Sequence, residues 1–190
     1  MRLIFRRVIC AIILCVCYHQ ATLAQSYHQL TADDFEGAPR SHSGVVAYTN
    51  CTIDFRYEAY RKNGYYQLNF NIRLLLNRDR SWMDKEHVTS SEMLAEILKH
   101  EQGHYIIAYL EQQELLREVG KTRFEADYQY RAQQIFDRID AKYKQLNRDY
   151  DEDTGHMTNR VQQNSWDVFF RRKLSICLQY DVHTCITYQI

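Results

Sequence analysis

The chain has 190 residues, of which 24 are basic and 24 are acidic, so its formal net charge at neutral pH is zero. This length suits a single domain. Glycine and proline are sparse, with six and one in the chain, so the composition gives no sign of a linker between domains. The absence of a basic excess or a basic stripe excludes a protein that binds nucleic acid by charge.

The first 24 residues predict a cleaved export signal. Three arginines precede an apolar run, Val8–Cys17, and small residues stand before a cleavage site that follows Ala24. The run is too short to remain as a membrane anchor, because a span needs about 20 apolar residues. We therefore expect a signal peptide at 1–24 and one mature domain at 25–190. The product is expected to be secreted or periplasmic without stable membrane insertion; an uncleaved anchor is the alternative.

The clearest local pattern is a β-hairpin around Asn63 and Gly64. Apolar and polar residues alternate on both sides of this pair, over the range 51–76. A two-residue loop pairs positions equally distant from it, which places Tyr57 opposite Phe70. Apolar side chains then face apolar side chains across the two strands, as cross-strand pairing favours. An additional strand is expected at 45–48.

Helical periodicity begins near Ser90, which is a suitable N-cap. The apolar spacing predicts three helices, with the first ended by Gly120: Ser90–Val119, Arg123–Arg148 and Val161–Lys173.

The C-terminal residues predict a second hairpin, with strands at Leu174–Tyr180 and Thr184–Ile190. A turn near Asp181 would place Cys177 opposite Cys185, within the Cα distance that a disulfide allows. We therefore predict a Cys177–Cys185 bridge, with two free thiols as the alternative. The fold expected from these elements is α+β: an antiparallel sheet of the two hairpins, packed on a long helical hairpin and a third helix.

The first predicted helix carries an HExxH motif, formed by His100, Glu101 and His104. The two histidines lie one helical turn apart on the same face, so both imidazoles can bind one zinc ion. Glu101 is rotated by about 100° from His100, which directs its carboxylate to a zinc-activated water as a general base. The alternative is a pair of buried histidines that are satisfied by hydrogen bonds.

A catalytic zinc site needs a third protein ligand, and spacing alone leaves it open. Glu125 would lie more than about 20 Å from the motif if the first helix continues to Val119. A helical hairpin would instead bring Asp137 and Asp140 to the level of the two histidines. The remaining candidate is His156, in an acidic loop expected at 150–156, after the second helix.

Three stretches of the sequence together resemble a known protein family. They are Leu30–Gly37, the HExxH helix at Leu98–Ala108, and Tyr150–His156 with the later Gln163 and Trp166. They resemble the segments of a family of bacterial predicted secreted zinc-dependent proteases, known as domain of unknown function 922. The resemblance covers roughly residues 28–175. Met157 stands where the family usually has glycine.

The resemblance implies roles for three residues of the late segment. His156 becomes the third zinc ligand beside His100 and His104. Asp151 becomes a partner that orients a histidine, and it remains an alternative to His156 as the third ligand. Tyr150 becomes a donor to the oxyanion that forms during hydrolysis.

Together, these features predict a secreted zinc-dependent metallohydrolase that acts on a peptide or protein substrate. In this hypothesis Glu101 activates a zinc-bound water for attack on an amide carbonyl. The alternative is a non-catalytic, zinc-stabilised envelope protein that binds a partner, in which Glu101 has no chemical role.

Overall fold

The computed structural model of the protein describes residues 27–40, 45–62 and 65–187. The described part contains four strands and three α-helices. The strands are β1 (Ala47–Tyr48), β2 (Cys51–Lys62), β3 (Tyr65–Leu76) and β4 (Trp82–Met83). The helices are α1 (Ser91–Lys121), α2 (Tyr128–Thr154) and α3 (Arg160–Thr187). This arrangement confirms the α+β class.

The predicted signal peptide at 1–24 and the Asn63-Gly64 turn lie outside the described residues.

The longest strands form a two-stranded antiparallel ribbon. Tyr57 pairs with Phe70 and Asp54 pairs with Arg73, which is the register that the sequence predicts. The guanidinium of Arg73 donates to the carboxylate of Asp54 at 2.6 Å on the exposed face. The apolar face packs against the core that the helices form, through side chains that include Phe55 and Ile72. Alternation therefore decides which face of the ribbon is buried.

The remaining two strands form a separate small sheet. β1 pairs with β4 in antiparallel register, with Ala47 opposite Met83 and Tyr48 opposite Trp82. The expected strand at 45–48 is thus present as β1, but the prediction of one continuous sheet is wrong. Asn50, in the short connection between β1 and β2, accepts a backbone hydrogen bond from Asn77. This contact links the small sheet to the end of the ribbon.

The prediction of a C-terminal hairpin is also wrong, because 174–187 continue α3 as a helix. Phe170, Leu174 and Cys177 are spaced four and three residues apart and pack on the core from one helical face. The turn expected near Asp181 has no glycine, proline or asparagine to interrupt that face.

The helical C-terminus removes the basis for the predicted Cys177–Cys185 disulfide. Residues eight positions apart in one helix are separated by about 12 Å along its axis. A disulfide needs Cα atoms within about 7 Å. Cys177 is instead a buried free thiol.

Helix boundaries differ from the prediction at several ends. Ser90 caps α1 as expected, since its hydroxyl accepts from the backbone N–H of Met93 at 3.1 Å. Gly120 does not end α1, which runs one residue further, to Lys121. α2 begins five residues later than predicted and continues through Thr154, where Gly155 ends it in the left-handed conformation at φ 53°. The segment 150–156, expected as a loop, is therefore mostly the last turn of a helix.

α1 is the central element of the fold. Along its middle, from Ile97 to Leu110, nearly every side chain is buried or half-buried, whether apolar or polar. The buried amide of Gln102 fastens the N-terminal segment to α1: it accepts from the backbone N–H of Leu30 at 2.7 Å and donates to the carbonyl oxygen of His28. No helix within the described ranges is long and apolar enough to cross a membrane.

Candidate metal centre

The two histidines of the HExxH motif face each other across one turn of α1. The Nε2 atoms of His100 and His104 lie 3.2 Å apart. Their rings are nearly perpendicular, at 88°, with centroids separated by 4.8 Å. His100 is 4% exposed, and the side chain of His104 is 14% exposed. Both imidazoles thus direct the same nitrogen to one point at the edge of the core.

The other ring nitrogen of each histidine is held by a side-chain amide from another helix. The Nδ1 atom of His100 lies 3.2 Å from Oε1 of Gln163 on α3. The Nδ1 atom of His104 lies 2.7 Å from Oδ1 of Asn147 on α2. Since an amide oxygen only accepts, each Nδ1 carries the proton in these contacts. In neutral imidazoles, both Nε2 atoms then present lone pairs to the common point.

Asp151 supplies a third donor atom at this point. Its Oδ1 lies 3.4 Å from Nε2 of His100 and 3.2 Å from Nε2 of His104. His156 approaches the same carboxylate oxygen with its Nδ1 at 3.3 Å and is 57% exposed. The structure therefore gathers both residues of the late segment around the histidine pair. Asp151 contacts all three histidines, which is more than the single orienting contact expected of it.

An unusual backbone conformation positions His156. Gly155 is followed by two non-glycine residues with positive φ, His156 at 49° and Met157 at 78°. Such values are uncommon outside glycine. The family's usual glycine at the place of Met157 fits this conformation without strain. The turn nevertheless places Met157 against the core cluster that includes Tyr105.

The donor atoms have the spacing of a zinc site. Zinc–nitrogen bonds of about 2.0–2.1 Å in a tetrahedron separate neighbouring ligand atoms by about 3.3 Å. The three separations among His100 Nε2, His104 Nε2 and Asp151 Oδ1 are 3.2, 3.2 and 3.4 Å. Mixed imidazole and carboxylate donors are also a set that zinc accepts. These residues fit the metal that the sequence predicts.

The electrostatics of the cluster favour a positive charge among its donors. Burial acts to raise the pKa of Asp151, but hydrogen bonds from His100 and His104 and the charges of His104 and His156 hold that pKa well below its usual range. Burial acts to lower the pKa of His104, whereas its contacts with Asp151 and the charge of Glu101 raise it to about 9. A proton or a metal ion at this point satisfies three facing lone pairs that otherwise repel one another.

Glu101 lies beside the histidine pair with one oxygen unpaired. It is 3% exposed, and its Oε2 has no hydrogen-bond partner among the residues that the structure describes. One of its carboxylate oxygens lies within 4.8 Å of ligand nitrogens of both His100 and His104. A buried unpaired carboxylate oxygen is costly without a partner such as water. Its position, off the histidine stripe but close to both nitrogens, suits a residue that contacts a metal-bound water.

Tyr150 occupies the interior rather than the cleft. It is 0% exposed, and its hydroxyl donates to the carbonyl oxygen of His100 at 3.0 Å and accepts from Nε2 of Gln163 at 2.8 Å. Its ring stacks on that of His100 at 15°, and it passes directly against Gly103. This placement does not fit the predicted oxyanion donor, because the hydroxyl is turned away from solvent. Tyr150 instead positions His100.

The other predicted ligand candidates lie apart from the histidines. Glu125 is in the connection between α1 and α2 and pairs with Arg123 at 3.9 Å. Asp137 accepts from Gln133 on the exposed face of α2, at 2.8 Å. Asp140 pairs with Lys144 at 2.8 Å. None of these three belongs to a group of close ligand-type side chains in the described structure.

Sequence reasoning missed the role of Asn147, and it quoted Gln163 only as part of a motif. Asn147 precedes Asp151 by one helical turn, so the two share a face of α2. That spacing is the available signal, but it requires knowing that the helix continues past Arg148.

The metal centre opens into a cleft of about 700 Å³. His100, Glu101 and His104 line one part of it, and residues 45–49 and 51–53 form another wall. Cys51 lies on this wall; burial, and secondarily the negative charge of Glu101, raise the pKa of its thiol to about 12. The thiol is therefore neutral at physiological pH. The cleft is large enough for several residues of a peptide.

Comparison with known proteins gives a family but no characterised relative. No curated protein and no solved structure matches the chain. A family profile described as "Bacterial protein of unknown function (DUF922)" matches residues 18–157, which include the HExxH motif and His156. The match spans most of the chain and confirms the resemblance, so the chain belongs to this family of bacterial proteins of unknown function.

Proposed function

We propose that the protein is a secreted or periplasmic zinc-dependent hydrolase that cleaves amide bonds, with a peptide or protein as its substrate. One observation carries the proposal: two Nε2 atoms and a carboxylate oxygen converge at 3.2–3.4 Å beside a buried Glu101 oxygen that has no partner among the described residues. The family description assigns no activity, so support for catalysis comes from this geometry.

In this proposal His100, His104 and Asp151 hold the zinc ion, because these three side chains form the closed triangle of donor atoms. Gln163 and Asn147 fix the ring orientation of the two histidines through their Nδ1 atoms. His156, which the sequence predicts as a ligand, contacts the Asp151 carboxylate from the exposed side. It remains within reach as a fourth donor.

A zinc ion held by these residues would polarise a carbonyl group and lower the pKa of a water to near 7. Glu101 then accepts a proton from the attacking water and passes a proton to the leaving amine. Its Oε2, which has no hydrogen-bond partner among the described residues, is a free acceptor for that proton. The cleft wall formed by residues 45–49 and 51–53 gives the substrate a surface in addition to α1.

The test combines metal content with hydrolysis. Zinc bound by the protein purified without chelator is measured by mass spectrometry, and hydrolysis is followed on pools of fluorogenic peptides. We expect Glu101→Gln to keep its zinc and to lose at least about 100-fold in hydrolysis, the usual contribution of a general base. Glu118→Gln is the matched control: it lies on the same helix and pairs with the exposed Arg138 outside the cleft. Unchanged hydrolysis in Glu101→Gln rejects Glu101 as the base, and absence of zinc rejects the metal site.

The ligand set is tested separately by Asp151→Ala and His156→Ala. We expect the Asp151 variant to lose far more zinc affinity than the His156 variant. The opposite order would support His156 as the third ligand, as the sequence analysis predicts.

The second candidate function is a non-catalytic, zinc-stabilised envelope protein that binds a partner. It is favoured by the closeness of four donor side chains, since a zinc ion with four protein ligands has no position for substrate. Zinc that stabilises the fold, together with no hydrolysis of any peptide pool, would select this function. The same Glu101→Gln variant would then behave as the unaltered protein does.

A further inference from the structure

The cleft extends along α1 well beyond the metal centre. Glu111 follows His104 by seven residues, so it lies on the same face of α1 two turns further on. On the facing helix, Asp140 and Lys144 occupy the corresponding stretch of the cleft, upstream of Asn147. The cleft therefore has the metal centre at one end and a group of charged side chains at the other.

Glu111 is the residue of this group that lacks a partner. Lys144 is bound by Asp140 at 2.8 Å. Arg148, which also lines the cleft, is exposed and donates to Gln145. Within the described ranges, no side chain forms a hydrogen bond or ion pair with the carboxylate of Glu111. A half-buried carboxylate in a cleft, without a partner, is a site that a cation stabilises.

The other end of the cleft independently indicates that it receives a ligand. Glu101, more than nine-tenths buried, has an unpartnered Oε2 and lines the same cleft. One unpaired carboxylate is thus found at each end. The distance from the metal centre matches an extended peptide: the seven helical residues from His104 to Glu111 span about 10 Å, which is about three residues of a strand.

We propose that Glu111 forms a specificity subsite for a cationic side chain, lysine or arginine, about three residues from the bond that is cleaved. This inference rests on the proposed hydrolase function. The walls beside Glu111 suit such a side chain, because Ile107 and Phe136 also line the cleft and can contact its apolar stem. The negative charge of Asp140, although paired, adds to the attraction.

The raised pKa of Glu111 agrees with a carboxylate that has no cation bound to it. Burial, and secondarily the charge of Asp140, raise the pKa of Glu111 to about 7 against the opposing effect of Lys144. A bound cation favours the ionised carboxylate and lowers this pKa again.

The test measures charge preference by binding, so that it does not depend on turnover. The probes are fluorescein-labelled randomised heptapeptide pools that carry either lysine or Nε-acetyllysine at one fixed position. Binding to zinc-loaded Glu101→Gln protein is followed by fluorescence anisotropy. For the fixed position that reaches Glu111, we expect the lysine pool to bind about tenfold more tightly than its acetylated counterpart, the size of a single charge-assisted hydrogen bond.

The assignment to Glu111 is tested by a second substitution in the same protein. Adding Glu111→Gln should bring the ratio of the two pools to within twofold of one. Adding Glu118→Gln, the same change outside the cleft, should leave the tenfold ratio unchanged. Adding Glu111→Lys should reverse the preference when pools with a fixed glutamate are compared.

Two results would overturn the subsite. One is equal binding of the lysine and acetyllysine pools at every fixed position. The other is a lysine preference that persists in Glu111→Gln. Failure of the hydrolase proposal is a distinct outcome: peptides would then bind with the predicted charge preference, while the protein with Glu101 intact would cleave none of them.

Discussion

Gly103, in the middle of the HExxH motif, is a position where the structure leaves no space for a side chain. A Cβ atom at this position would lie within 2.7 Å of three atoms of the Tyr150 ring and hydroxyl, closer than Cβ atoms approach their neighbours. Tyr150 cannot move aside easily, because it is fully buried and is stacked on His100. We therefore expect Gly103→Ala to destabilise the protein.

The magnitude follows from two opposing effects. Alanine stabilises a helix interior by about 1 kcal/mol relative to glycine. Overpacking a tight core costs about 1–3 kcal/mol, and more where neighbours cannot relax. Because Gly103 and Tyr150 are both buried, we expect overpacking to exceed the gain in helix propensity by about 2 kcal/mol. This loss of stability corresponds to a fall in Tm of about 4–8 °C in a domain of this size.

Gly120 provides a matched control on the same helix. A Cβ atom there meets nothing within 4 Å. Gly120→Ala should therefore raise stability by about 0.5–1 kcal/mol through helix propensity alone. Urea unfolding of the two variants gives both free energies. A Gly103→Ala protein as stable as Gly120→Ala would refute the packing of Tyr150 against α1.

Three further perturbations test other parts of the structure. Gln102→Leu leaves the buried N–H of Leu30 without its acceptor, so urea unfolding should show a loss of about 1–3 kcal/mol; an unchanged midpoint would mean that this segment is not fastened to α1. Gln163→Leu and Asn147→Leu remove the amide oxygens that orient the two histidines. Competition with a zinc chelator should therefore show a 10- to 100-fold loss of zinc affinity in each variant. Full zinc affinity would contradict the orienting role of the two amides. The pKa of Glu111 is raised from 4.5 to about 7 in the fold, so ionisation opposes folding increasingly as pH rises through that interval. Glu111→Gln should thus raise the Tm of metal-free protein at pH 8 but not at pH 4, and an equal effect at both values would contradict the shift.

The sequence predicts those parts of the fold that local patterns decide. Alternation around Asn63 and Gly64 is enough to place Tyr57 opposite Phe70, because a shift by one residue would bury the polar face. Ser90 predicts the start of α1 for a similarly local reason, since a hydroxyl there satisfies a free backbone N–H. The HExxH spacing alone predicts that His100 and His104 approach the same point.

Other features depend on contacts that no local pattern contains. Leu174 and Cys177 fit a strand or a helix equally well, and packing against the core beside Phe170 selects the helix. The sequence predicts a loop for residues 150–156. The structure instead continues α2 through Thr154, which places Asp151 against both histidines. Tyr150 illustrates the same limit: its position beside His100 could be anticipated, but only tertiary structure directs its hydroxyl inward.

In the proposed site, His100 and His104 bind one metal ion together. Crystals of the zinc-loaded protein, measured at the zinc absorption edge, test it directly through anomalous scattering. We expect one strong peak about 2.0–2.1 Å from Nε2 of both histidines, with a carboxylate oxygen of Asp151 as a further neighbour. A peak elsewhere, or no peak at the histidines in protein saturated with zinc, would contradict it.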